Sequence, residues 1–136
     1  MRRLLRWLGL ALGAACVVIG LLHFALGISS VPGEVTAGAT VDSRERFYNA
    51  IFVGYGFAWI WVARRRPMSM MLTRWLAGIF LLGGAGRLLS LAVWGRPHWF
   101  QLALTGVELA LPVLLLWLST GQTDRYADHD TNRATG

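Results

Sequence analysis

At 136 residues the chain has the length of one domain. It is 55% hydrophobic and 15% charged, a balance that suits a membrane protein better than a soluble one. Its formal charge is +6 and all 13 basic residues are arginine, but these flank apolar runs rather than forming a polar basic surface, which argues against a nucleic-acid partner.

Four apolar spans follow in chain order, at about residues 4–28, 47–63, 72–94 and 99–118. The first opens after Arg2 and Arg3, a start that faintly resembles a twin-arginine signal. No convincing small-residue cleavage site ends its long apolar run, so it reads as a retained helix. Cys16 lies inside it and is the only cysteine, which excludes an intrachain disulfide and a two-cysteine redox motif. It reads as a small packing residue, because the lipoprotein alternative lacks the usual leucine three positions earlier. Gly27 and the Pro32-Gly33 pair end this span.

The longest connection, residues 29–46, closes on Asp42-Ser43-Arg44-Glu45-Arg46. Asp42 with Glu45 three residues on has the spacing of a capping box for the second helix. The second span is then only 17 residues or so, the short limit for crossing the hydrocarbon. Pro67 follows it, and Pro97 separates the third span from the fourth. Beyond residue 118 the chain turns polar, with Asp124, Asp128 and Asp130 among its last residues, and is expected to be a disordered tail.

Arginine placement sets the orientation. Arg2, Arg3, Arg6, Arg64, Arg65, Arg66 and Arg74 border one side with no acidic residue among them. On the other side Arg44, Arg46 and Arg96 are mixed with Glu34, Asp42 and Glu45. The positive-inside rule then places both termini in the cytoplasm. Tryptophan favours the membrane–water interface. Trp7, Trp59, Trp61, Trp75 and Trp117 fall near the cytoplasmic boundary of this map, and Trp94 and Trp99 near the outer one.

Arg87 and Glu108 stand alone within apolar spans. Charge in hydrocarbon is costly, so such residues face the protein interior and pair or line a pathway. At 1.5 Å per residue, Arg87 lies about 10 Å below Trp94, and Glu108 about 13 Å below Trp99. The short link makes the two helices antiparallel neighbours, so the charges share a depth. Gln101 and Thr105 follow the same face as Glu108, and Ser90 the same face as Arg87. His23, on a stripe of small residues, and Asn49 also fall in the outer half. The expected site is therefore a charge pair, Arg87 and Glu108, within a polar patch of His23, Asn49, Ser90, Gln101 and Thr105.

Arg46-Phe47-Tyr48-Asn49-Ala50, Gly86-Arg87-Leu88-Leu89-Ser90, Gly95-Arg96-Pro97 and Glu108 within an apolar helix resemble the domain of unknown function 4345 family. These are small bacterial proteins with four membrane helices. The resemblance covers residues 4–118 and departs at Asn49, where the family usually has glycine. It implies a four-helix membrane protein and no particular activity.

No serine–histidine–acid set, phosphate loop, dinucleotide fingerprint or metal-ligand spacing is present, so neither a cofactor nor enzyme chemistry is expected. The fold class expected is all-α, an integral membrane four-helix bundle over residues 1–118. Its partner is the lipid bilayer, with homo- or hetero-oligomers formed through small-residue faces such as Gly9 and Gly13. The role expected is that of an accessory or scaffold protein of the bacterial cytoplasmic membrane. The alternative is a small transporter or ligand-binding protein using the outer patch.

Overall fold

The computed structural model describes residues 2–30 and 38–120, so almost all of the polar tail lies outside the described residues. The fold is all-α. Helix α1 runs over Arg2–Leu26 and is followed by a 3-10 turn, Gly27–Ser30; α2 runs over Ala39–Arg64, α3 over Met70–Trp94 and α4 over Trp99–Thr120. Three segments, Arg2–Leu26, Met70–Val93 and Trp99–Thr120, are long and apolar enough to cross a membrane. Helix α2 is as long as the others at 26 residues, but Asp42, Arg44, Glu45 and Arg46 fill its first two turns.

That helix corrects the reading of its own start. It begins at Ala39, not at residue 47, and its N-cap is Gly38, which makes no side-chain cap bond. The Gly38 carbonyl accepts from the N–H groups of Val41 and Asp42 at 2.9 and 3.2 Å, so backbone alone closes the first turn. Asp42 and Glu45 therefore sit inside the helix and form no capping box. Asp42 pairs one turn on with Arg46, Nε to Oδ2 at 2.8 Å. The Arg46 Nη1 donates to the carbonyls of Phe24 and Ala25 at 2.8 and 3.0 Å. These are among the last carbonyls of α1, which have no partner within their own helix. Gly27 follows in a left-handed conformation, φ 61°, with Asp42 and Arg46 packed where a Cβ would stand. Only glycine meets both demands.

The chain folds as two helical hairpins. In the first, α1 and α2 meet along a glycine seam. A Cβ on Gly13 would lie 2.7 Å from the Gly56 carbonyl oxygen, and one on Gly56 would lie 2.7 Å from that of Gly13. Gly20 abuts Val53 and the Asn49 backbone, while Gly9 abuts Trp59 and Ala63. Small residues let the two backbones approach closely, and that approach supplies attraction through dispersion. The Gly9 and Gly13 face, a candidate surface for association with other chains, is thus filled by α2.

The second hairpin is joined differently. Pro112 lies inside α4 and has no N–H to offer the carbonyl of Glu108, four residues earlier. A Cβ on Gly84 of α3 would lie 3.3 Å from that same oxygen and 2.8 Å from Leu109. The helices therefore touch where the α4 ladder is interrupted.

The two hairpins close on each other at one end. There Leu5, Trp59, Ala77 and Leu115 are wholly buried, with Leu12 and Leu118 nearly so. Tyr55 ties α2 to α3 by donating to the Leu76 carbonyl at 2.6 Å, and its ring stacks between those of Phe52 and Phe80. Arg74 reaches from α3 to the Ser119 hydroxyl and carbonyl, both at 3.1 Å, at the end of α4. Trp7, Trp61, Trp75, Trp99 and Trp117 are exposed on the outer surface, as ring positions at a membrane interface would be. Trp59 is not: it is 0% exposed and belongs to the core. The side chain of Trp94 lies outside the described ones.

Candidate functional site: a polar cavity at the open end of the bundle

At the other end the hairpins part around a cavity of about 450 Å³, lined from all four helices. Its polar wall is made by His23 of α1, Glu45 and Asn49 of α2, Arg87 of α3, and Gln101 and Glu108 of α4. Its apolar wall includes Leu12, Ile19, Phe52, Phe80 and Leu104. The volume falls within the range that takes a small organic molecule.

Arg87 is the hub. Its Nε lies 2.6 Å from Glu108 Oε2, and its Nη1 donates to Gln101 Oε1 at 2.6 Å. Glu108 is the more buried partner, its side chain 10% exposed against 38% for Arg87. The contact between them is a close ion pair. Oε2 is itself buried, so the close approach of Arg87 is what compensates its charge. Two charges held together in a low-dielectric setting offset much of each other's desolvation cost.

The remaining polar side chains are held locally. Asn49 Nδ2 donates to the Glu45 carbonyl at 2.8 Å and to Glu45 Oε1 at 2.9 Å. His23 Nδ1 and the Ser30 hydroxyl are 2.6 Å apart, which ties the end of α1 to the 3-10 turn.

Of the seven polar residues singled out in the sequence, five line this cavity: His23, Asn49, Arg87, Gln101 and Glu108. Thr105 is buried, but its hydroxyl donates to the Gln101 carbonyl at 2.8 Å, a bond within its own helix, and it does not line the cavity. Ser90 is exposed and does not line the cavity. Glu45 was missed as a cavity residue because it had been assigned to a cap. The signal was present in Glu45, Tyr48, Asn49 and Phe52, whose i, i+3, i+4, i+7 spacing puts them on one helical face. Among the described residues no three His, Cys, Asp or Glu side chains gather in a way that would hold a metal ion.

The domain of unknown function 4345 pattern matches residues 4–119, nearly the whole described fold. The chain belongs to that family. The residues that carried the resemblance fall at structurally demanding places. Arg46 ends α1 through its carbonyls, Arg87 joins α3 to α4, and Gly95, at φ 85°, ends α3. No curated protein and no solved structure matches the chain.

Proposed function

We propose that this is a four-span protein of the bacterial cytoplasmic membrane that binds a small amphipathic molecule at the open end of its bundle. The observation that carries the reading is the convergence of six polar side chains from four helices on one cavity with apolar walls. A purely structural ion pair needs neither an adjoining space nor further polar groups around it. Helix α2 is taken as the fourth span because it lies against α1 along the glycine seam, so that a bilayer crossed by one is crossed by the other. Both termini are assigned to the cytoplasm by the arginines around α1's start and between α2 and α3. Exposed Leu82, Leu89 and Val93 on α3 suit a lipid-facing surface. Residues 1–118 are taken as the membrane unit and the polar tail as an appendage to it.

The test is binding of dodecanol, dodecylamine and dodecanoate to the protein in a neutral maltoside detergent, with Leu104→Trp as the comparison. Leu104 lines the cavity without contributing to the polar group. At least one probe is expected to bind, and the added indole to displace it. If none binds, the ligand reading fails.

A second reading, an accessory or scaffold protein without a ligand, is favoured by the Arg87 and Glu108 contact as a device fixing α3 against α4. It expects the exchange Arg87→Glu with Glu108→Arg to recover folding lost in each single variant. An exchange that leaves the protein unfolded counts against it.

A further inference from the structure

The charges around the cavity do not balance. Among the described residues that line it, Arg87 is the sole arginine, and that guanidinium is committed to Glu108 and Gln101. Glu45 remains. It is half-buried, it takes one hydrogen bond from the neutral amide of Asn49, and among the described residues no cationic side chain pairs with it. Its neighbour Arg46 is occupied by Asp42 and the α1 carbonyls. Neither Arg44 nor Arg96 lines the cavity. His23 faces it with a nitrogen already engaged by Ser30.

The walls have a matching chemistry. Four aromatic rings, those of Tyr48, Phe52, Phe80 and Phe100, line the same space. The face of such a ring attracts a cation, more so where water is excluded. A compact, strongly hydrated inorganic ion would lose its water shell against these walls. A cation whose charge is wrapped in carbon would not.

There is also a way in from the side. A groove of about 290 Å³ between α2 and α3 shares Tyr48, Phe52, Phe80, Arg87 and Glu108 with the cavity. Ile51 and Ile79 on that groove are more than half exposed. An apolar body seated in the cavity can therefore extend to the flank that would meet lipid.

We infer that the cavity takes a hydrophobic organic cation, its charge facing Glu45 and the aromatic rings and its apolar body lying between the hairpins. This rests on the ligand-binding reading and adds the sign of the charge. The experiment is equilibrium dialysis of tetraphenylphosphonium and tetraphenylborate, matched in shape and opposite in charge, against the protein in neutral maltoside detergent, with protein-free micelles as the blank. Tetraphenylphosphonium is expected to bind more tightly than tetraphenylborate. Glu45→Gln should weaken it about tenfold, Glu45→Asp should retain most of the affinity, and Leu104→Trp should remove it. Glu45 is a partly exposed position of the first turns, and the amide preserves the bond geometry, so the variant tests charge rather than folding. Tighter binding of tetraphenylborate, or phosphonium binding indifferent to Glu45→Gln or to Leu104→Trp, overturns the inference. Dodecanol or dodecanoate binding that Leu104→Trp abolishes would still leave the ligand reading standing.

Discussion

The two ends of the bundle use similar amounts of helix for opposite purposes. At the closed end the N-terminal halves of α1 and α3 and the C-terminal halves of α2 and α4 bury Leu5, Trp59, Ala77 and Leu115 completely. At the open end the same four helices present polar groups and rings to a space of about 450 Å³. The difference lies in what holds the hairpins to each other. The closed end has interlocked side chains and the Tyr55 hydrogen bond to Leu76. The open end has polar contacts that lie within each hairpin, Arg46 to α1 in the first and Arg87 to α4 in the second. One end is thus a clamp, and it leaves the other free to accommodate a guest.

The contrast can be broken most severely at Trp59. Trp59→Ala is expected to cost about 4 kcal/mol, because it empties a large, fully buried position at the clamp. Thermal unfolding in detergent measures it, against Phe100→Ala at the cavity, where the ring is 41% exposed and the loss should be far smaller. Equal losses would show that the two ends are not mechanically distinct. Next comes Gly13→Val, which thrusts a branched side chain against the Gly56 carbonyl and the Ile60 backbone. The expected cost is about 3 kcal/mol, since backbone cannot give way as a side-chain tip can. The change should disturb both ends together, because the seam supports the whole of the first hairpin. The smallest effect should come from Gly86→Ala on α3, where a Cβ would meet nothing within 4 Å. A gain of about 0.5 kcal/mol is expected from helix propensity alone; a loss would mean that this face is covered by something when the protein is folded.

Much of this arrangement was legible in the chain, for reasons that differ by residue. Counting depth from Trp94 and Trp99 put Arg87 and Glu108 at one level, and their side chains are 2.6 Å apart. That worked because helix rise is fixed and the link between α3 and α4 is short. The start of α2 was not legible. Its cap is a glycine carbonyl with no side-chain signature, while Asp42 and Glu45 imitated a familiar motif and were in fact one turn inside. Trp59 was misplaced for a similar reason. It was read by type alone, although Trp61 stands two residues on and faces the opposite side of the helix. Only one of the pair can point away from the core, and that one is Trp61, stacked beneath the Arg65 guanidinium at 3.7 Å. Ser90 shares a helix stripe with Arg87 but is exposed and does not line the cavity.

The glycine seam between α1 and α2 also bears on how the protein is made. Its contacts are complete within the first hairpin and ask nothing of the second. With α2 as the proposed fourth span, a chain emerging from the ribosome can insert and pair these two helices before α3 has been synthesised. The cavity, which draws on all four helices, has only one side of its wall until the second hairpin arrives. A fragment ending at residue 66 should accordingly insert as a hairpin in membranes, and co-expression of the remainder should restore binding. Failure of the fragment to insert would show that assembly waits for the whole chain.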